Sequence, residues 1–165
     1  PHLSQNWWCQ HMYSGTYIAY ETEGVRAPGF QHCGKDAATI ATSTDGASGT
    51  VLMYQDVQVV PGANYRAGLW VKGYGTFGAN GTDKTGLWVQ ELAKDDSLVM
   101  DHGLMTINTA TQDFEFKHVE FAANAQTFKV RFLVYTEVGC GWWLGRAIID
   151  DAFLDGPARC RDSGK

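Results

Sequence analysis

Beyond Thr50 the chain is built from short alternating or apolar runs separated by Gly, Asn, Asp and Pro, the rhythm of an antiparallel sandwich. Strands are predicted near residues 36–43, 51–60, 64–73, 85–93, 97–102, 113–122, 127–138 and 146–155. No window keeps a helical period over three turns, so helix should be scarce. The run from Val57 to Lys72 reads as strand, Pro61-Gly62 turn, strand. Its second half sorts Tyr65, Ala67, Leu69 and Val71 onto one face and Arg66, Gly68, Trp70 and Lys72 onto the other. The stretch 127–137 alternates as cleanly, with Phe128, Val130, Phe132 and Val134 opposed to Lys129, Arg131, Leu133, Tyr135 and Glu137. In Gly86–Glu91, Leu87 and Val89 oppose Trp88 and Gln90.

The apolar members of these sets form a core. The opposite faces combine indole or phenol rings with Arg, Gln and Glu, a mixture suited to stacking on a sugar while bonding its hydroxyls. Trp70, Arg66, Trp88, Gln90, Arg131, Tyr135 and Glu137 are therefore candidate ligand-binding residues. If their strands share one sheet, its outer surface is an aromatic and polar groove; otherwise these are solvated faces with incidental aromatics. Trp88 has a second reading as a core residue. Trp142 and Trp143, in the loop before the last strand, either wall one end of the groove or place one indole in the core. Residues 1–34 alternate only partially and are expected to hold an edge strand and a long loop, and 156–165 a tail ordered as far as Cys160.

At 165 residues the chain fits one domain that buries roughly two thirds of its unfolded surface. A net charge of −5 with no Lys/Arg cluster argues against a nucleic-acid partner, because phosphate contacts need concentrated positive charge. No apolar run approaches the ~20 residues that cross a bilayer. Cys9, Cys33, Cys140 and Cys160 form no C-x-x-C pair, which disfavours structural zinc and suits two disulfides in a secreted protein, with four free buried thiols as the alternative. The start at Pro1-His2 without a leader reads as a mature or excised fragment, and a monomer is expected. The glycine-rich segment 73–81 lacks the G-x-x-x-x-G-K phosphate cradle and reads as a flexible loop; Asn80-Gly81-Thr82 is formally a sequon.

Catalytic signatures are missing. There is no G-x-S-x-G and no H-E-x-x-H, and the five histidines are scattered singly. Glu91, Glu115, Glu120 and Glu137 could supply the facing carboxylates of a glycosidase, without the E-x-D-x-x-E pattern of jelly-roll glucanases. A sandwich-fold polysaccharide lyase using Tyr135 as base beside Arg131 and a histidine is an alternative. In 145–154, Asp150 shares an alternating face with Ile148, Ala152 and Leu154; a carboxylate buried there needs compensation, which makes it a candidate calcium ligand. A competing register buries Asp151 with Ile149 and Phe153.

Three stretches carry a family resemblance: Tyr54-Gln55-Asp56-Val57 through Pro61-Gly62-Ala63-Asn64-Tyr65 to Leu69-Trp70-Val71-Lys72; Phe116-Lys117-His118-Val119-Glu120-Phe121; and Ile149-Asp150-Asp151-Ala152-Phe153-Leu154. In order and spacing they resemble the carbohydrate-binding modules of families four, nine and twenty-two, jelly-roll β-sandwiches attached to secreted glycanases. The resemblance implies an all-β antiparallel sandwich of two sheets. It also implies a concave groove for a β-linked polysaccharide such as β-glucan or xylan, and a linked glycanase domain. A structural calcium is implied as well, held by Asp150 and a backbone carbonyl at Lys35, although the family's usual Phe-Glu strand before the first tryptophan is missing. If that topology holds, first and last strands run antiparallel and the expected disulfides are Cys9–Cys140 and Cys33–Cys160, one of three connectivities. A non-catalytic binder is the expectation, with a lyase or hydrolase, or a secreted protein-binding or adhesion domain, as alternatives.

Overall fold

A computed structural model describes residues 8–11, 16–22, 36–42, 49–79, 81–111, 113–138 and 146–157, with backbone alone for the first three of these segments and for residues 49, 138 and 146. Ten strands run in chain order: β1 Trp8–His11, β2 Thr16–Thr22, β3 Asp36–Thr42, β4 Gly49–Gln58, β5 Asn64–Tyr74, β6 Lys84–Leu92, β7 Leu98–Ile107, β8 Glu115–Ala122, β9 Lys129–Val138 and β10 Arg146–Asp155. They form two five-stranded sheets, a front sheet ordered β1-β4-β9-β6-β7 and a back sheet ordered β2-β3-β10-β5-β8. All recorded pairings are antiparallel. No helix occurs among the described residues. The domain is thus the all-β two-sheet sandwich that alternation predicts, and the eight strands expected between residues 36 and 155 are all present. The N-terminal segment supplies two strands instead of one, an edge for each sheet.

Strand alternation builds the core. Tyr65, Ala67, Leu69 and Val71 of β5 face Leu87 and Val89 of β6 and Val130, Phe132 and Val134 of β9, every one of them buried. Burial of each Val, Leu or Phe side chain among them contributes about 1.5–3 kcal/mol. Three buried polar groups are satisfied in place. Thr85 and Thr136 share a hydroxyl–hydroxyl bond of 2.8 Å. Glu91, 1% exposed, lies 2.7 Å from His102 Nε2 and accepts from the Asn124 amide at 2.7 Å and from the Thr127 hydroxyl. The His102 ring in turn lies on Phe121, with centroids 4.4 Å apart.

Two readings change. The glycine-rich 73–81 connection is anchored, not loose: Phe77 is 2% exposed, its carbonyl accepts from Ala110 N at 2.9 Å, and Gly78 N donates to Asp83 Oδ2 at 2.8 Å. A single buried aromatic fixes a loop that its composition makes look free. In β10 a bulge falls between Asp150 and Phe153, with Asp151 at φ 48°. One extra residue inverts the alternation: Ala147 and Ile149 pack inward before it, and Ala152 and Leu154 pack inward after it. Asp150 is buried at 3%, but on the face opposite Ala152 and Leu154, so neither strict register survives.

The Pro61-Gly62 turn is locked from a distance. Tyr65 Oη accepts from Val60 N at 2.7 Å and donates to the Pro157 carbonyl at 2.7 Å, tying the β4–β5 turn to the end of β10. Tyr65→Phe removes both bonds at a nearly buried position. It should lower the unfolding free energy by roughly 1–3 kcal/mol in urea titrations, with the denaturant slope unchanged.

Candidate functional site

The outward face of the front sheet follows from the same alternation. Directly opposite one another across four strands stand Tyr54, Leu133, Trp88 and Leu104, an apolar row running across the sheet. Leu133 fills its centre at 4% exposure, while Leu104 is 37% exposed at its end. Trp88 Nε1 donates to Asp101 Oδ1 at 2.8 Å, and the same oxygen accepts from Gly103 N at 2.8 Å. This carboxylate fixes the indole orientation. The Trp88 ring also meets the Tyr135 ring edge-on, with centroids 6.2 Å apart and planes at 74°.

Polar rows flank the apolar one. On one side Asp56, Arg131, Gln90 and Asp101 stand in register; on the other lie Leu52, Tyr135, Gly86 and Thr106, followed by Thr50, Glu137 and Lys84. Arg131 binds Asp56 through two bonds of 2.7 and 2.9 Å, and its guanidinium lies 4.6 Å from the Tyr54 ring centroid. Lys129 adds a contact of 2.8 Å to Asp56 and another to Asp96. Tyr135 Oη donates to Glu137 at 2.7 Å, and Lys84 Nζ lies 2.8 Å from the same carboxylate oxygen and 5.7 Å from the Tyr135 ring centroid. Gln90 has no side-chain hydrogen-bond partner among the described residues, so its amide is available to a ligand.

The charges set proton affinities. Burial pushes Asp56 up, but the hydrogen bonds and charges of Arg131 and Lys129 outweigh it and hold the carboxyl below its ordinary value. Lys84 and then Tyr135 hold Glu137 low through hydrogen bonds. Tyr135 is raised, by burial first and then by its bond to Glu137. A phenol held protonated, with its proton donated to Glu137, is a poor general base.

The predicted site residues divide between two faces. Trp88, Gln90, Arg131, Tyr135 and Glu137 come together on the front sheet. Arg66 and Trp70 lie on the outward face of the back sheet, because β5 pairs with β8 and β10 and not with β9. The one-sheet groove joining both groups is therefore corrected. Trp70 packs on Phe116 at 5.0 Å between centroids, and Phe116 stacks on His118 and Phe153 at 4.9 and 6.0 Å. Sequence reasoning missed Tyr54, Asp56, Leu104, Asp101 and Lys84 as members of the front face. Alternation along 51–58 marks Tyr54 and Asp56; Leu104 and Asp101 follow a bulge and leave no periodic signal.

Trp142, Trp143, Lys35, Cys33, Cys140 and Cys160 lie outside the described residues, and Cys9 is described only by its backbone in β1, opposite Met53. β10 lies between β3 and β5, whereas β1 is in the other sheet, so the adjacency of first and last strands used to pair the cysteines is not found. Among the described residues no group of three or more His, Cys, Asp or Glu side chains is placed to hold a metal.

No family model and no curated protein matches the chain. Solved structures share its fold at low identity. The enzymatically active domain of bacteriophage CBA120 tailspike protein 4 superposes at TM-score 0.64 with 14% identity over 94% of this chain, which spans 20% of that one. TmCBM61, in complex with β-1,4-galactotriose, gives TM-score 0.60 and 20% identity, covering 93% of this chain and 90% of that one. The C-terminal family 22 carbohydrate-binding module of Clostridium thermocellum Xyn10B gives TM-score 0.57 and 10% identity, covering 93% and 87%. The fold is that of the jelly-roll carbohydrate-binding modules.

The ion pairs of this face give stability a defined pH dependence. Asp56 has a lowered folded-state value, so its contribution is complete above the unfolded value of about 4 and is lost as pH falls through the folded one. Thermal melts from pH 7 to 3 should show Tm falling below about pH 4. Asp56→Asn should lower Tm at pH 7 and flatten this acid limb.

Proposed function

We propose that the front-sheet face binds a β-linked polysaccharide chain of xylan or β-glucan type without cleaving it, and targets an attached glycanase in a secreted protein. The carrying observation is the cross-strand row Tyr54-Leu133-Trp88-Leu104 between two polar rows. Pyranose rings offer apolar faces and equatorial hydroxyls. Trp88 and Tyr54 provide surfaces for the first; Gln90, Arg131, Tyr135 and Glu137 provide donors and acceptors for the second. Each ring contributes on the order of 1 kcal/mol, so a few rings give weak binding that linkage to a second module would strengthen. The solved neighbours lend support: TmCBM61 is described with β-1,4-galactotriose, and a Xyn10B structure pairs a family 22 module and a GH10 module with xylohexaose.

The enzymatic alternatives find less support. Glu137 lies on the front sheet, Glu115 and Glu120 belong to β8 of the back sheet, and Glu91 is buried with both oxygens bonded. These carboxylates do not face one another across a cleft. Tyr135 is held protonated, and of the histidines with described side chains His102 bonds Glu91 and His118 stacks on Phe116. One observation favours the protein-binding reading: Leu98, Met100 and Leu104 are 56, 45 and 37% exposed along the edge strand β7, an apolar edge of the kind that marks interfaces.

A structural calcium at Asp150 belongs to the same proposal. The carboxylate is 3% exposed and accepts from Asp151 N at 2.8 Å at the bulge. Further oxygens would be backbone carbonyls, Lys35 among them.

Affinity electrophoresis of wild type, Trp88→Ala and Trp70→Ala against xylan, β-glucan, mannan, β-1,4-galactan and alginate tests the binding face, with chain cleavage monitored. One glycan class should retard the wild type. Trp88→Ala should lose roughly tenfold in affinity, about 1.4 kcal/mol, while Trp70→Ala retains it. Retardation by none of these glycans sinks the proposal in favour of a protein partner, and cleavage promotes the enzyme. For the metal, wild type should melt several degrees lower in EDTA than in calcium, as expected when a ligand binds only the folded state, with the difference absent in Asp150→Ala. Equal melting temperatures would remove calcium from the proposal.

A further inference from the structure

The back sheet has its own concavity, on the side of the sandwich away from the proposed polysaccharide face. A depression of about 560 Å³ is lined by Asn64, Tyr65, Arg66, Glu120, Asp155 and Gly156, among others, within the ~300–1,000 Å³ range of small-molecule sites. Its polar groups come from three adjacent strands. Asp155 of β10, Arg66 of β5 and Glu120 of β8 stand opposite one another in register, giving a cation between two carboxylates.

The central cation is held in place but not used up. Its guanidinium lies over the Phe116 and Phe153 rings, 5.4 and 5.8 Å from their centroids. Those rings close over Gly68, where an added Cβ would come within 2.8 Å of Phe153 and 2.9 Å of Phe116. The aromatic support of Arg66 thus depends on a residue with no side chain. Against Glu120, Arg66 Nε stands at 3.6 Å, beyond hydrogen-bond length. The two side chains are 47 and 70% exposed. Asn64 and Asp155 make no side-chain hydrogen bonds among the described residues.

We infer that this pocket is a second saccharide site, one that takes a single neutral pyranose residue independently of the front sheet. A vicinal diol is both donor and acceptor. It can accept from the Arg66 fork while donating to Glu120 or Asp155, bridging from the side groups that stand 3.6 Å apart through two charge-assisted bonds. Two carboxylates against one guanidinium leave the pocket net negative, which repels uronates and phosphates. Preorganisation of Arg66 by its aromatic support lowers the ordering cost of binding.

Amide chemical-shift titrations with the methyl β-pyranosides of galactose, glucose, xylose and mannose test this, with methyl β-glucuronide as the anionic comparison. At least one neutral pyranoside should move the amides of Asn64, Arg66, Glu120 and Asp155, and should do so equally in Trp88→Ala, which separates this site from the front-sheet reading. Arg66→Met keeps the aliphatic stem over Phe116 and should weaken the response about tenfold or more with the remaining spectrum unchanged; Glu120→Gln, which keeps the side-chain shape, should weaken it as well. Unmoved amides with all four neutral sugars would overturn the site. So would an undiminished response in Arg66→Met, or glucuronide binding as well as the neutral sugars.

Discussion

Burial of one face of each central strand between two sheets is the constraint from which the rest of this structure follows. Leu69, Leu87, Val89, Val130 and Val134 are essentially inaccessible to water, and their period of two leaves every intervening residue directed outward. The outward faces are the complement of the core. A substitution that slipped β6 or β9 by one residue would exchange Trp88 for Val89 and Tyr135 for Val134, so core packing and the outward array cannot change independently.

The two outward faces solve different electrostatic problems. On the front sheet the charged groups are mutually engaged: Asp56 with Arg131 and Lys129, and Glu137 with Lys84 and Tyr135. Rigid pairing keeps long side chains from covering the aromatic row and leaves the Gln90 amide without a side-chain partner among the described residues. The back sheet instead gathers Trp70, His118 and Phe153 around Phe116 and holds Arg66 over Phe116 and Phe153, with Lys72 over Phe114. Near Ile148, which is fully buried and packed with Phe114, this face is closed; near Arg66 and Asp155 it is open. A flat extended row and a compact pocket suit ligands of different shape.

Most of the strand pattern was legible because an alternating segment has only one way to bury its apolar residues. Tyr65, Ala67, Leu69 and Val71 could be assigned to the core from spacing alone, as could Val130, Phe132 and Val134. The misreadings arise where one residue or one contact overrides the pattern. At Asp151 a backbone of positive φ adds a residue to β10 and reverses the alternation, which no side-chain pattern announces. At Phe77 one buried ring orders a loop whose glycines suggest freedom. On β7 the shift of register beside Trp88 hid Asp101 and Leu104.

The amino-acid sequence by itself determined the class of fold and the side of its strand on which each of Trp70, Arg66 and Arg131 stands, since both depend on a local period of two. Only the tertiary structure decided that Trp88 and Arg131 share a sheet while Trp70 and Arg66 occupy the opposite one. Strand pairing joins residues far apart along the chain, β5 to β8 and β10, β9 to β4 and β6, and is selected by how the two sheets close over a common core, a long-range choice that no short stretch of sequence encodes.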